Sequence, residues 1–215
     1  MSAQVKGIVI EGVPATGKTT IIEHLLRNEQ VLERDFMPLL VYGEDLTQRV
    51  LEAKHNQGQI TKEDNLNLLN DILTPLERYQ KYYHQRGWQG AEQEHCYAFL
   101  LERFHLTHAT YFDHLNWGEL IQIDDRLADL KTKLVLLTMN KEVMVERIVV
   151  SRGSRWRSYI SRFGSTVEEI VEHYYQRQQR KLKLAQQSNL VSLVLNTSAK
   201  NWEELAQQVL KFWEI

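Results

Sequence analysis

Hydrophobic runs and amphipathic stretches alternate along the chain, and this arrangement predicts a parallel sheet whose strands are connected by helices. Each hydrophobic run is short and rich in Val, Ile and Leu, as is typical of strands buried on both faces. The predicted strands cover residues 5–10, 38–42, 96–101, 133–139 and 190–195.

Apolar residues that recur every three or four positions predict the helices between these strands. The predicted helices cover residues 19–26, 46–57, 61–83, 105–130, 143–149, 165–187 and 202–213. Pro75 falls inside the third helix and is expected to kink or split it, because proline lacks the N–H group that a helix interior needs. Ser165 and Thr166 each precede a glutamate by three positions, the capping-box pattern of a helix N-terminus.

The sequence GVPATGKT at residues 12–19 fits the phosphate-binding (Walker A) pattern G-x-x-x-x-G-K-[ST]. It stands between the first predicted strand and the first predicted helix, as this loop requires, so that N–H groups can face the phosphates of a nucleotide. We expect Lys18, on the solvent side and without a packing role, to reach the β- and γ-phosphates, and Thr19 to hold Mg²⁺. The expected ATP-binding residues are Gly12, Val13, Pro14, Ala15, Thr16, Gly17, Lys18, Thr19 and Thr20.

Composition limits the classes of protein to which the chain can belong. Its 215 residues, 43% hydrophobic and 25% charged, are enough for one globular domain over residues 1–215. A net charge of -2 argues against a dedicated nucleic-acid binder. The chain shows neither a signal-peptide pattern nor an apolar run of membrane-spanning length, and its single cysteine, Cys96, excludes an internal disulfide. We therefore expect a cytoplasmic protein without a membrane partner.

A five-stranded parallel sheet with a phosphate loop after its first strand is the P-loop NTPase type of α/β fold, with helices on both faces. Ligands of such sheets bind at the carboxyl ends of the strands. Chemistry is therefore expected in the residues that follow the strands, which are Glu44-Asp45, Glu102-Arg103, Asn140-Lys141 and Asn196-Thr197-Ser198.

Glu11-Gly12 at the start of the loop, Glu102-Arg103 after the third strand and an arginine-rich segment after the fourth carry a family resemblance. The chain resembles the nucleoside and nucleotide kinase group of P-loop proteins, which includes the deoxynucleoside kinases and the thymidylate kinases. The resemblance implies that Glu102 lies near Mg²⁺ and that Arg103 meets the phosphate acceptor. It also implies that Glu44, with Asp45 behind it, is the catalytic base or the anchor of the acceptor.

Residues 147–164, RIVVSRGSRWRSYISRFG, form the arginine-rich segment. A transferring phosphoryl group spreads negative charge over its oxygens, so arginines on a mobile lid would stabilise it and exclude water. The kinases that the chain resembles carry such a lid after the fourth strand, and we expect residues 152–164 to form it. Arg152 and Arg155 are expected to be catalytic, and Arg147 is expected to line the adenine pocket. The alternatives are a solvated basic loop and a patch for a nucleic-acid backbone.

The phosphate acceptor is less well defined than the nucleotide. The sequence GEDLTQ after the second strand lacks the glycine- and proline-rich acceptor loop of thymidylate kinases. Phe104 stands where deoxynucleoside kinases usually have a serine, and Ala15 replaces a glycine common in the family's loop. The expected acceptor is a small molecule: a nucleoside, a nucleotide or another hydroxylated compound such as a sugar or an antibiotic.

Two further groups of residues invite a metal interpretation. Asp124-Asp125-Arg126 is an alternative metal site, which we otherwise interpret as a solvated helix face because too few residues follow it for a crossover helix. His105 and His108 lack the arrangement of a zinc site, although contact of His105 with the acceptor stays open.

Aromatic and basic residues at helical spacing need no catalytic explanation. The aromatic residues are more typical of a core or a subunit interface than of a surface that stacks on a nucleobase, and a homodimer is therefore one possible assembly. They are Tyr79, Tyr82, Tyr83 and Trp88. The basic set lies near the end of the sixth predicted helix and is expected only to complement the helix dipole. It consists of Arg177, Arg180, Lys181 and Lys183.

A GTP-binding switch is the alternative from another class. Asn140-Lys141 and Ser198-Ala199-Lys200 are similar to the guanine-reading motifs of small GTPases. Val143, however, occupies the position where those motifs need an aspartate, and the sequence D-x-x-G does not occur in the chain. A nucleotide-binding protein without catalysis is a third interpretation. The sequence favours a kinase that uses ATP and Mg²⁺.

Overall fold

The computed structural model describes residues 4–32, 38–55, 59–85 and 95–215. Its strands are β1 (Gln4–Gly12), β2 (Leu39–Tyr42), β3 (His95–Glu102), β4 (Lys133–Thr138) and β5 (Val191–Asn196). Within the described part of the chain these five strands form one parallel sheet in the order β2-β3-β1-β4-β5. The five-stranded parallel sheet predicted from the sequence is thereby confirmed.

Helices connect the strands on both faces of the sheet. They are α1 (Lys18–Arg27), α2 (Glu29–Leu32), α3 (Val50–His55), α4 (Lys62–Gln85), α5 (His105–Tyr111), α6 (Trp117–Asp129), α7 (Lys141–Met144), α8 (Ser154–Ile160), α9 (Val167–Gln187) and α10 (Trp202–Trp213). A π-helical turn, Asp45–Arg49, precedes α3, and another, Val145–Val150, follows α7. A 3-10 turn, Ser161–Phe163, follows α8.

The core lies in two layers because successive residues of β1 point to opposite faces of the sheet. On one face, α1 and α10 pack against Ile8, Ile10 and Val135. On the other face, α4, α5, α6 and α9 pack against Val9 and Phe99. The central strands β1, β3 and β4 are therefore almost entirely buried, whereas the edge strand β5 leaves Val191 and Val194 exposed. Each fully buried Ile or Phe contributes about 1.5–3 kcal/mol relative to an exposed one, and this burial holds the strand ends in place.

The structure shows that one predicted helix is continuous and that another is divided in two. α4 continues through Pro75 without splitting, and Leu73 and Leu76 on either side of the proline are fully buried. The segment predicted as one helix over residues 105–130 is two helices, α5 and α6. Asn116 starts the second one, because its side chain accepts a hydrogen bond from Glu119 N while the Glu119 side chain accepts one from Asn116 N. Among the described residues, no helix combines the length and the apolar character needed to cross a membrane.

Candidate active site

A cleft of about 990 Å³ opens at the carboxyl ends of the strands. Its walls are the phosphate loop with the start of α1, the π-helical turn after β2, the end of β3 with α5, the segment around α8, and α9. All the predicted site residues line this cleft except Thr16, which is fully buried and donates its hydroxyl to Val13 O at 2.9 Å. Thr16 therefore shapes the loop from within.

The backbone of the phosphate loop needs residues that accept positive φ. Gly12 and Gly17 have φ of +153° and +85°. A Cβ on Gly12 would lie 2.7 Å from Leu137 O, and one on Gly17 would lie 2.4 Å from the Trp202 ring, so neither position has room for a side chain. Ala15 adopts the left-handed conformation with φ of +66°, which costs an L-residue roughly 1 kcal/mol and explains the preference for glycine at this position.

Lys18 is buried rather than on the solvent side, with only 4% of its surface exposed. Its Nζ donates to Gly12 O at 3.1 Å and to Val13 O at 3.2 Å. Burial lowers the pKa of Lys18 well below its usual value, and the positive charge of Arg103 lowers it further. The expectation that Lys18 has no packing role is therefore wrong.

Thr19 and Glu102, the predicted metal ligands, line the same cleft. Thr19 is exposed, whereas Glu102 is 7% exposed, and among the described residues its Oε1 has no hydrogen-bond partner. The carbonyl of Glu102 accepts a hydrogen bond from Thr47 Oγ1, which holds the end of β3 against the turn after β2. A buried carboxylate oxygen without a partner and an accessible hydroxyl fit the oxygen ligands that Mg²⁺ requires.

Glu44 lies between two arginines. Its Oε1 accepts a hydrogen bond from Arg49 Nε at 2.9 Å, and its Oε2 accepts one from Arg103 Nε at 2.6 Å. Burial raises the pKa of Glu44, but the positive charges of Arg103, Lys18 and Arg49 outweigh this effect, and the net pKa is lowered. The neighbouring Asp45 side chain is 88% exposed and does not line the cleft. The structure thus places Glu44 rather than Asp45 at the cleft.

The segment around α8 brings some of its arginines to the cleft and leaves others outside. Arg152 and Arg155 both line it, and the Arg152 guanidinium lies 4.5 Å from the centre of the Trp156 ring. Arg157 is exposed and does not line it. Ile160 is buried in a cluster that includes Val13 of the phosphate loop, so α8 is packed against the body of the protein.

A contact between two tyrosines joins α8 to the end of α5. The hydroxyl groups of Tyr111 and Tyr159 share a hydrogen bond. Arg162 donates to Tyr111 Oη at 3.2 Å and lies 3.9 Å above the Tyr159 ring. Arg162 borders a neighbouring cavity rather than the main cleft.

Arg147 lies at the opposite end of the cleft, beside the turn after β5. Its guanidinium donates to Thr197 O at 2.5 Å and to Ser198 O at 3.2 Å, and it lies 5.4 Å from the centre of the Trp202 ring. Because Trp202 also approaches Gly17, these groups form a flat wall next to the phosphate loop. The expected role of Arg147 at an adenine pocket stays a prediction.

Glu11 organises the turn between β3 and α5, a role that the sequence did not reveal. Its Oε1 accepts from Phe104 N at 2.9 Å and from Thr107 N at 3.0 Å, and its Oε2 accepts from Thr107 Oγ1 and Lys181 Nζ, each at 2.6 Å. Phe104, at the N-cap position of α5, has no side chain that could make such bonds. Glu11 therefore caps α5 although it is far from this helix in the sequence. This explains how Phe104 can occupy the position where deoxynucleoside kinases usually have a serine.

The position of Lys181 contradicts the expectation that the basic residues of α9 only complement the helix dipole. Lys181 is buried and bonded to Glu11, and α9 continues to Gln187, so this lysine is not in the last turn of the helix. Burial lowers the pKa of Lys181 to about 8. Tyr174, Arg177 and Lys181, spaced by three and four residues, line the cleft from one face of α9. A lysine within the apolar stripe of an amphipathic helix was the sequence signal for this arrangement.

The second acidic group, Asp124-Asp125-Arg126, lies away from the cleft. Asp125 is exposed, as expected of a solvated helix face, but Asp124 is not. Asp124 is buried, accepts hydrogen bonds from Ser188 Oγ at 2.6 Å and Asn189 N at 2.7 Å, and lies 3.1 Å from His105 Nε2. His105 is therefore occupied away from the acceptor side. Among the described residues, no group of three or more His, Cys, Asp or Glu side chains could hold a metal ion.

The aromatic set of α4 also lies outside the cleft. Tyr79 and Tyr82 are about half exposed, and the Tyr79 ring contacts Tyr97 edge-on. Trp88 lies outside the described residues.

Comparisons with known proteins bear on the fold. No protein-family model matches the chain, and no curated protein sequence does so at a significant level. Solved structures resemble it over nearly the full length. The YorR protein of Bacillus subtilis, in complex with phosphorylated GDP, has 16% identity and a TM-score of 0.56, with 98% of this chain and 96% of that chain covered.

The structures of two kinases are also similar to the chain over nearly its full length. A sugar kinase of Janibacter sp. HTCC2649 has 15% identity and a TM-score of 0.53, with 99% of this chain and 95% of that chain covered. The thymidylate kinase of Ehrlichia chaffeensis has 14% identity and a TM-score of 0.53, with 100% of both chains covered. The chain has the α/β fold of the P-loop kinases, as predicted.

Proposed function

We propose that the protein is an ATP-dependent kinase that transfers the γ-phosphoryl group to a small hydroxylated acceptor. One observation carries the proposal: the phosphate loop, Glu102 and the pair formed by Glu44 and Arg103 all line one cleft, and the Glu102 Oε1 atom has no hydrogen-bond partner among the residues that the structure describes. In the reaction, the bond from the γ-phosphorus to ADP breaks, a bond to the acceptor oxygen forms, and the proton of the acceptor hydroxyl is released.

The nucleotide would occupy the half of the cleft formed by residues 12–20, with its base against Arg147 and Trp202. Phosphate oxygens would give the buried Lys18 ammonium a negatively charged partner and raise its pKa, so the lysine remains protonated while the nucleotide is bound. Thr19 and Glu102 would hold Mg²⁺, which when bound neutralises charge on the phosphates and orients them.

Glu44 would orient the acceptor. Its lowered pKa makes it a weak base, so its main contribution is to accept a hydrogen bond from the acceptor hydroxyl. Phosphoryl transfer through a loose transition state needs little help from a base. Arg103, held by Glu44 at 2.6 Å, would face the transferring group.

Residues 152–164 would act as a lid over the reacting groups. Arg152 and Arg155 would stabilise the negative charge of the transferring phosphoryl group, since fixed cations in a site without water interact strongly with it. The hydrogen bond between Tyr111 and Tyr159 would hold the lid against α5, and opening would break it.

A coupled assay of ADP release tests the function over nucleosides, nucleoside monophosphates, sugars and other hydroxylated metabolites. Lys18→Ala should abolish turnover, and Arg180→Ala, at an exposed residue outside both the cleft and the lid, should leave it unchanged. Because Lys18 is buried, circular dichroism must first show that its variant is folded. Wild-type turnover by a folded Lys18→Ala protein contradicts the proposal, and at least tenfold tighter binding of GTP than of ATP in a titration favours the switch instead.

A further inference from the structure

The cleft carries more positive charge than a nucleotide accounts for. Among the described residues that line it, nine are Lys or Arg and three are Glu. Lys181 forms an ion pair with Glu11, and Glu44 forms ion pairs with Arg49 and Arg103. A nucleoside triphosphate with its Mg²⁺ has a net charge of roughly -2. A positive surplus therefore remains for a second anion.

Part of this surplus lies at Arg177 on α9. Its guanidinium lies 4.8 Å from the centre of the Tyr111 ring and 5.2 Å from that of Phe163. Within the described residues it has no salt bridge, and burial lowers its pKa. Arg177 is partly buried. Because the partial loss of water around a cation without a salt bridge is unfavourable, this position suits a residue whose partner is a ligand.

Tyr174, one turn earlier on α9, points to the same ligand. It is 1% exposed, and its Oη has no hydrogen-bond partner among the described residues. Its ring meets Phe163 edge-on at 5.8 Å, so Tyr174 and Arg177 share a neighbour, and both line the cleft. A buried hydroxyl usually has a partner, and a bound anion would accept its hydrogen bond.

We propose that Tyr174 and Arg177 bind an anionic group on the acceptor, and that the acceptor is a phosphate monoester. The inference rests on the proposed kinase function and narrows its substrate class. A guanidinium donates two parallel hydrogen bonds to phosphate, and a tyrosine hydroxyl donates a third. The double negative charge of a phosphate monoester matches the surplus better than a carboxylate does.

Binding of inorganic phosphate tests the subsite directly. Phosphate is titrated calorimetrically into the protein saturated with Mg²⁺ and a non-hydrolysable ATP analogue, which fills the nucleotide half. Arg177→Gln should weaken phosphate binding about 10- to 100-fold, the effect of losing a hydrogen bond to a charged group. Tyr174→Phe keeps the ring and should weaken binding several-fold. Arg180→Gln, on the same helix but outside the cleft, is the matched control. Equal affinities in all three variants overturn the proposal.

Turnover separates this inference from the proposed function. Nucleosides and sugars are each assayed beside their phosphate monoesters and a carboxylate analogue. The phosphorylated member should be the substrate, and Arg177→Gln should raise its KM with a smaller change in kcat. Exclusive turnover of neutral or carboxylate acceptors overturns the inference and leaves the kinase function standing. If ATP binds but no compound is phosphorylated, the proposed kinase function fails, and the phosphate titration with the bound analogue still decides the subsite.

Discussion

Lys181 Nζ lies 2.6 Å from Glu11 Oε2, although 170 positions separate the two residues in the chain. Both side chains are buried. The pair joins α9 to the residue that precedes the phosphate loop, and the same carboxylate caps α5. This buried ion pair therefore helps to hold the end of β3, where Glu102 and Arg103 lie, together with the hydrogen bond from Thr47 Oγ1 to the Glu102 carbonyl.

Removing one partner of this pair should destabilise the protein strongly. Glu11→Gln leaves the Lys181 ammonium buried without a negative charge, and we expect a loss of about 3–5 kcal/mol in the free energy of unfolding. Urea denaturation measures it. The double variant Glu11→Gln/Lys181→Met should recover much of the loss, because no unpaired charge remains. Glu214→Gln, which breaks exposed pairs with Lys6 and Lys133, should cost less than about 1 kcal/mol. Similar losses at both glutamates would contradict this account.

The lowered pKa of Lys181 predicts that activity falls at alkaline pH. Burial lowers the pKa of Lys181 to about 8, so above this pH the free enzyme loses a positive charge from the cleft and Glu11 loses its neutralising partner. We expect kcat/KM for ATP, which reports the free enzyme, to fall with an apparent pKa near this value. Lys181→Arg keeps its proton at all accessible pH values and should remove this fall. If kcat/KM of the Lys181→Arg variant still falls at the same pH, a group other than Lys181 causes the fall.

The elements that the sequence predicted correctly depend on local pattern. The strands and most helices follow from hydrophobic periodicity over a few residues, and α10 begins and ends where the pattern indicated. The phosphate loop has a defined spacing between a strand and a helix. The residues whose contacts determine these elements lie close together in the sequence, so a local pattern is enough to predict them.

The features that escaped prediction depend on contacts between distant segments. Glu11 and Lys181 carry no mutual signal in the sequence, so the lysine was assigned to the helix dipole. Asp124 was interpreted as solvated because nothing local indicates that Ser188 and Asn189 fold over it. The break between α5 and α6 was different, since the capping box of Asn116 and Glu119 is visible in the sequence.

Glu44 and Asp45 are adjacent carboxylates in different environments, which gives a matched test of the acceptor side. Glu44→Gln removes the charge that holds Arg103 and that, in the proposed function, would face the acceptor. We expect kcat to fall by up to about 10²-fold with unchanged nucleotide affinity. Asp45→Asn, whose side chain is 88% exposed, should change neither quantity. Steady-state rates and calorimetric titration of ATP measure both. Equal losses of kcat in the two variants would show that the assignment of Glu44 is wrong.

Glu102 should control the requirement for Mg²⁺. Its Oε1 is buried at the end of β3 and has no hydrogen-bond partner in the described part of the chain, and Glu102→Gln removes the negative charge that would attract the metal. We expect the Mg²⁺ concentration for half-maximal rate to rise on the order of tenfold, equivalent to about 1.4 kcal/mol of metal binding. Saturating Mg²⁺ should restore part of the rate, since Thr19 and the phosphates remain.

Asp124→Asn provides the control for this prediction, because Asp124 belongs to the alternative metal site. Asp124 is bonded to Ser188 and Asn189 and does not line the cleft, so its substitution should lower stability without changing the Mg²⁺ dependence. Rates measured against Mg²⁺ concentration for both variants, together with their urea denaturation curves, separate the two effects. If Asp124→Asn raised the Mg²⁺ requirement while Glu102→Gln did not, the metal would belong beside Arg126, and the acceptor side of the cleft would have to be reassigned.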